Sequence, residues 1–561
     1  MLLRRLKEYS ERLADLPPML YAESPVRYII ELEQSGRFLG MVDTADPSSP
    51  GTRRGQRRLV PQVQRSSGIR PLLLADKADY VLGHTAPQQT SERTGACHRA
   101  FVSLIDRCAE TSEEPSVMAI QRFLSDDPLA ILDAQEDFDP GGTITFRVEG
   151  VFPVDLPSVQ SFWAAENPPS ERVMQCVVCG QEKPVLERLQ AKIKGVPGGQ
   201  TSGTSIISAN ADAFTSYGLK ASLISPTCGD CGERFTKAAN WLLASEANSI
   251  RIGGIASIFW TREETGFDLL TFINDPQPAQ VRDLIGSLRT GSRTPEIDDT
   301  PFYATSLSGS GGRAVVRDWL DTTVGQVQRN LAAWFQRQEV VTGLGEPHDP
   351  LGIKALAFAT VREPRDLATP TPRALLRGAM SGTPLPWDLL FQAVRRNRAE
   401  RRVTRPRAAL IKLVLLSQLR EHEEDYMVQL HADNHDPAYL CGRLMAVLEN
   451  AQLAAMPGVN TTIVDRFYGT ASTAPASVFS RLLKGVQPHL AKLQRDNRGA
   501  YIAIQTRIEE ILSGLPGDRG FPRILSLQEQ GMFALGYYHQ RAQHSAQRRE
   551  AAERRRQREA E

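Results

Sequence analysis

Residues 176–231 read CVVCGQEKPVLERLQAKIKGVPGGQTSGTSIISANADAFTSYGLKASLISPTCGDC, and the rest of the chain is organised around them. The stretch opens on Cys176-Val-Val-Cys179 and closes on Cys228-Gly-Asp-Cys231. Two residues between thiolates let both sulfurs of a pair face one ion, and two pairs make a tetrahedral site suited to zinc. Glycine follows Cys179, Cys228 and Cys231, which permits the tight turns such a site needs. The expectation is a structural Zn²⁺ on Cys176, Cys179, Cys228 and Cys231. With four sulfurs in place no position stays open for a reactive water, so a catalytic ion is disfavoured. Four reduced thiols, or a redox pair, are the competing readings. The pairs are separated by residues 180–227, longer than the gap of a simple ribbon, so this insertion must loop out from a fixed base.

Within the insertion, residues 192–220 hold Lys192, Lys194 and Lys220 together with Ser208, Asn210, Phe214 and Tyr217. Glycines let a backbone approach a ligand closely, and N–H groups and hydroxyls bind phosphate oxygens. Phe214 and Tyr217 suit stacking or wedging against bases. The same composition fits a plain surface loop with a strand at 205–208 equally well. No Gly-x4-Gly-Lys-Ser/Thr pattern occurs, which excludes a nucleotide-binding P-loop.

Outward from this module, the chain has 561 residues, 41% hydrophobic and 23% charged, with Lys+Arg 66 against Asp+Glu 65. Such a length needs several domains, and a net charge of +1 leaves only local clustering to indicate a partner. No run approaches the roughly 18 apolar residues of a membrane span. The amphipathic start MLLRRLKEYSERLADL does not read as a secretory signal. Seven cysteines do not make a disulfide scaffold. They point to a cytoplasmic protein with one metal site and buried thiols at Cys97, Cys108 and Cys441.

Two arginine blocks stand out. Residues 51–70 hold Arg53, Arg54, Arg57, Arg58, Arg65 and Arg70 without one acid, in what reads as a loop aimed at phosphate or simply solvated. RRNRAERRVTRPR (395–407) sets Arg395, Arg396, Arg401, Arg402 and three further arginines against one glutamate, which suits a helix along a nucleic-acid backbone or a solvated face. His431, Asp433, His435 and Asp436 resemble a metal cluster, but Asp436-Pro437 before a helical run reads better as an N-cap with proline at N1. Ser308-Gly-Ser-Gly-Gly-Arg313 is a lone glycine-rich turn with no role assigned. No nucleophile–base set and no two-metal carboxylate pattern is visible, so a nuclease is not supported.

The fold class expected is α+β: a mixed α/β N-terminal body with an embedded four-cysteine zinc module, followed by an all-α C-terminal helical bundle. The boundaries read as an α/β region 1–170, the zinc module 171–262, a mixed region 263–345 with a helix near 315–338, a Pro-rich linker 346–373 and the bundle 374–561. The last residues, RREAAERRRQREAE, read as frayed.

These pieces resemble one family over nearly the whole chain, the large subunit of the subtype I-C CRISPR surveillance complex, Cascade. The resemblance rests on LLLADKADYVLG (72–83), Ile193–Val196, Ser208-Ala209-Asn210, Ala213-Phe214, Ser216-Tyr217-Gly218 and Phe259-Trp260. It continues through 319–335, Tyr439–Glu449, Arg466–Tyr468, Ala471–Pro475 and Gln530–Gln540. The family's Ser-Phe-Asn stands here as Ser208-Ala209-Asn210. Zinc comes from the cysteine spacing, not from the resemblance.

The resemblance implies a non-enzymatic subunit. It would hold the 5′ handle of a guide RNA, recognise the protospacer-adjacent motif on duplex target DNA, promote R-loop formation and recruit a helicase-nuclease. Its partners would be the backbone and handle-processing subunits and a small subunit, with no membrane. The C-terminal helices resemble that small subunit, which in this family can be made from an internal start; Met427 and Met445 are the candidates. Two rival functions are a metal-dependent nuclease and a free-standing zinc-ribbon RNA-binding protein.

Overall fold

The computed structural model describes every residue except 14–15, 47–53, 64, 66–67, 85–89, 127, 132–137, 169–170, 210, 291–298, 346–348, 419–427, 518–519 and 561. Two compact units emerge: Met1–Ala244 with Gly309–Val315, and Ser245–Ser308 with Val316–Glu561.

The first unit opens with helix α1 (Leu2–Ser10), which ends sooner than the amphipathic pattern predicts. A four-stranded sheet in the order β3-β2-β6-β5 follows, built from β2 (Tyr28–Leu32), β3 (Phe38–Asp43), β5 (Ala75–Lys77) and β6 (Thr143–Val148). Strands β2 and β6 run parallel, and the outer pairings are antiparallel. Strand β2, buried at four of five positions, is a near-continuous apolar run, as a covered parallel strand should be. Helices α2 (Ala78–Val81), α3 (Ser91–Ser112), α4 (Pro115–Ser125) and α5 (Pro157–Glu166) carry Phe101, Ile105, Ile120 and Trp163 into the same core. Beside this sheet β1 (Tyr21–Val26) pairs antiparallel with β4 (Gln56–Pro61). The arginine-rich stretch is thus partly a strand. Cys97 and Cys108 are buried in α3, as their helical setting predicts.

The second unit carries the sheet β12-β11-β10-β9, from β9 (Ser249–Ile252), β10 (Ile255–Thr261), β11 (Pro301–Ser310) and β12 (Arg313–Thr323). Helices follow: α7 (Leu269–Ile273), α8 (Pro278–Thr290), α9 (Val324–Gln338), α10 (Ile353–Phe358), α11 (Pro370–Ser381), α12 (Trp387–Glu400) and α13 (Arg405–Gln418). After these come α14 (Pro437–Ala455), α15 (Ile463–Ala471), α16 (Phe479–Asp496), α17 (Arg498–Ser513) and α18 (Leu527–Ala560). One apolar core runs from Ile250 to Tyr538.

Three further expectations change. The helix predicted from 315 begins at Val324, because Arg313–Thr323 is the edge strand β12. The Pro-rich stretch is not a bare tether: among its described residues α10 places Ile353 and Leu356 in the core, and Leu367 joins them from the turn before α11. The C-terminal residues read as frayed continue α18 to Ala560. The α+β class, the helical C-terminal region and the four-cysteine cluster are as the sequence implies. Asp436 does cap α14, its carboxylate accepting the Tyr439 N–H at 2.8 Å with Pro437 at N1. Among the described residues no helix is long and apolar enough to cross a membrane.

Helices α14 and α18 cross with their backbones in near contact. A Cβ on Gly536 would stand 2.1 Å from the Tyr439 carbonyl oxygen, and one on Gly442 would stand 2.0 Å from that of Phe533. Around this crossing the Tyr439 hydroxyl lies 3.0 Å from His539 Nδ1, and the Arg443 guanidinium donates to Gln540 at 3.2 Å. Burial pushes the His539 imidazole down to about 3, so it stays neutral at physiological pH.

Candidate nucleic-acid interface and metal centre

The cysteine cluster is assembled from a hairpin and a helix start. Strands β7 (Val173–Gln175) and β8 (Glu182–Pro184) pair antiparallel, and Cys176–Cys179 forms the turn between them. The turn is closed by Cys176 N–H to Gln181 O at 2.9 Å and Gly180 N–H to Cys176 O at 2.8 Å. Cys228 bridges to Val185, and Cys231 lies on the first turn of α6 (Gly229–Ala244). All four sulfurs lie within 4.8 Å of one another, with three of the cysteines buried. A tetrahedral zinc with Zn–S bonds of about 2.3 Å sets sulfurs about 3.8 Å apart, so this donor set fits the ion. The Cys228 N–H points at Cys176 Sγ at 3.4 Å. Burial opposes ionisation of Cys176, but this and other backbone N–H donors bring its thiol down to about 7.

The insertion is tied to the same helix. Asn240, late in α6, accepts the Lys194 N–H on Oδ1 at 2.8 Å and donates Nδ2 to the Lys192 carbonyl at 2.9 Å. Next to it Ile193 and Thr204 exchange backbone hydrogen bonds at 2.8 and 2.7 Å. Ala209 and Ala221 do the same at 3.0 and 3.1 Å, closing the base of an outer lobe. At its tip Leu219 N–H bonds Ser216 O at 2.9 Å across Tyr217 and Gly218, whose φ values are +53° and +70°. Two positive φ values define a type I′ turn, which favours Asn-Gly. A tyrosine there costs roughly 1 kcal/mol or more of strain, and the residue is 99% exposed.

Other predicted site residues separate into tethered and open ones. Lys194 is half-buried, with Nζ 3.5 Å from the Glu23 carbonyl oxygen. Burial, and then the Arg57 guanidinium, push its ammonium below the ordinary lysine range. Arg57 is paired with Glu23 at 3.3 Å. Arg58 pairs with Asp155 at 2.9 Å and lies over Phe152 at 3.4 Å. Arg65 pairs with the buried Asp76 and lies over Tyr80 at 4.5 Å. Three of the six arginines are therefore compensated by acids outside the block.

Arg54, Arg70 and Lys220 are exposed, and Lys192 and Ser208 half-buried. Arg53 and Asn210 lie outside the described residues, as does Met427. In the second unit Arg396 is tied to Glu400, while Arg395, Arg401 and Arg402 are exposed at the C-terminal end of α12. Sequence reasoning missed Arg313, whose guanidinium lies 4.0 Å over the Phe214 ring. Its only signal was its place at the end of the glycine-rich turn.

Asp76 is the most deeply buried of these acids. Burial raises its pKa while Arg65 and the Leu72 and Lys77 N–H groups oppose the rise. Arg65→Ala should therefore cost about 3–5 kcal/mol, because it strands a buried carboxylate. Arg54→Ala, at an exposed turn, should stay within about 0.5 kcal/mol. Thermal denaturation of the two variants checks this, and equal midpoints would contradict it.

A search of curated proteins gives no match. A family model described as CRISPR-associated protein (Cas_Csd1) matches residues 5–545, and the chain belongs to that family.

Proposed function

We propose that the chain is the non-catalytic large subunit of a type I-C Cascade, reading the motif beside the target on duplex DNA through the 192–220 loop. Tyr217 carries this reading: a wholly exposed ring held in a strained turn is available to a partner outside the chain. Stacking on an unpaired base suits it, and such stacking contributes about 1–3 kcal/mol per base. Exchanging a DNA duplex for a guide–target duplex is nearly balanced, so one wedge and a few cationic contacts can tip it.

Zn²⁺ on Cys176, Cys179, Cys228 and Cys231 would supply a cross-link between the β7–β8 hairpin and α6, with no part in bond breaking. Arg54 and Arg70 suit the phosphates of a guide-RNA handle, and Arg395, Arg401 and Arg402 those of a displaced strand. A helicase-nuclease would then be recruited to the opened duplex.

A shorter product containing the C-terminal helices, serving as small subunit, is part of the same reading. A start at Met445 would delete Asp436, Tyr439 and Gly442, and with them the cap and the close crossing of α14 on α18. A start at Met427 keeps all three. Mass spectrometry of a C-terminally tagged chain should find a product beginning at residue 427 that Met427→Leu abolishes. A product surviving that change, but lost with Met445→Leu, would overturn the assignment.

Asparagine tolerates the left-handed region that Tyr217 occupies. Tyr217→Asn should leave stability unchanged or slightly higher while weakening target-duplex binding by roughly 5- to 100-fold, the loss of one stacked base. Gel shifts of the assembled complex at fixed salt read this out, and unchanged affinity would sink the proposal. With Mg²⁺ or Mn²⁺, the purified chain should not cleave labelled DNA.

A further inference from the structure

The hairpin tip between β11 and β12 belongs to the first unit and is seated on the 192–220 loop. Gly309 N–H donates to Pro197 O at 2.6 Å, Gln200 N–H to Gly311 O at 3.2 Å, Ser205 N–H to Gly312 O at 2.8 Å and Ala314 N–H to Ser205 O at 3.0 Å. These make parallel bridges of Gly199 with Gly311 and of Ser205 with Arg313. A Cβ on Gly309 would stand 2.1 Å from Gly199 N, so glycine is required for the two backbones to meet. Four hydrogen bonds thus fix the backbone on both sides of Arg313.

The side chain is fixed too. The Arg313 guanidinium lies over Phe214, which is itself 45% exposed. Arg57, Arg58 and Arg65 each hold a carboxylate, but no ion pair or side-chain hydrogen bond of Arg313 is found among the described residues. Stacking on a ring occupies the face of a guanidinium and leaves its planar fork of N–H donors unspent. That fork matches a phosphate as well as a base edge, and the two are told apart by whether binding depends on sequence. A guanidinium held flat against a ring is also what bidentate donation to guanine N7 and O6 requires.

We propose that Arg313, braced by Phe214 and by the seated hairpin tip, reads a guanine in the major groove of the duplex beside the target. The proposal rests on the reading of the 192–220 loop as the duplex contact, and it deepens that reading by naming the base and the side chain.

The test is a competition selection with the assembled, guide-loaded complex on duplexes randomised at the base pairs flanking the target. The wild-type complex should enrich guanine at one position by about tenfold or more, and 7-deazaguanine there, which lacks the N7 acceptor, should forfeit most of the preference. Arg313→Ala and Arg313→Lys should flatten that position and leave the others intact. Phe214→Leu, which keeps the charge and removes the ring, should weaken the same preference. Melting curves and co-purification with guide RNA confirm assembly of each variant.

An unchanged profile in the Arg313 variants overturns the proposal, and so does an equal loss of affinity for every sequence, which marks a phosphate contact. Lys194→Ala and Tyr217→Asn separate the two levels. If neither alters duplex affinity, the underlying reading of the loop fails. If both weaken binding while the Arg313 profile is unchanged, only the guanine assignment fails.

Discussion

Helix α6 is held at its two ends by different chemistries, and the candidate interface depends on both. Its first turn carries Cys231 beside Cys228 in the four-sulfur cluster, and Asn240 near its far end holds the backbone of Lys192 and Lys194. Nine residues of helix separate the two anchors, about 13 Å at 1.5 Å per residue. Between them Lys237 donates to the Pro17 and Pro18 carbonyls and to Glu233, which in turn accepts the Leu20 N–H. A glycine-rich loop has much backbone freedom to lose. The helix removes that freedom from outside, so the loop need not build a core of its own.

Three side-chain groups then face outward from the first unit with different degrees of commitment. Lys194 and Arg57 are near neighbours of one glutamate and form a partly compensated positive spot. Phe214 and Arg313 are committed to each other. Tyr217 is almost wholly exposed. The near-zero net charge is thus no obstacle to nucleic-acid binding, because the acids are spent on particular arginines and the exposed cations on others.

What the sequence made legible was local. The spacing of Cys176, Cys179, Cys228 and Cys231 correctly implied that they converge, because two close pairs leave few alternatives. The Asp436-Pro437 cap and the helical C-terminal region were equally readable, since caps and periodicity are short-range signals. What was illegible was long-range. Arg58 and Asp155 are 97 residues apart, so the arginine block reads as bare charge until the fold pairs it. Arg313–Thr323 carries apolar residues at spacings a helix would also show, and its β-branched valines and threonines prevail only beside β11. The docking of Gly309 on Gly199 joins segments more than a hundred residues apart, and no motif announces it.

The central claim is that a metal-bound cluster fixes α6 and, through Asn240, the loop. Hydrogen–deuterium exchange before and after chelation tests this most directly, with elemental analysis of the same sample. The account predicts about one zinc per chain. It also predicts that removing the ion accelerates exchange at Ile193, Lys194 and Thr204, while the β3-β2-β6-β5 sheet keeps its protection. A chain that binds no metal, or a loop whose protection is indifferent to its loss, would contradict it.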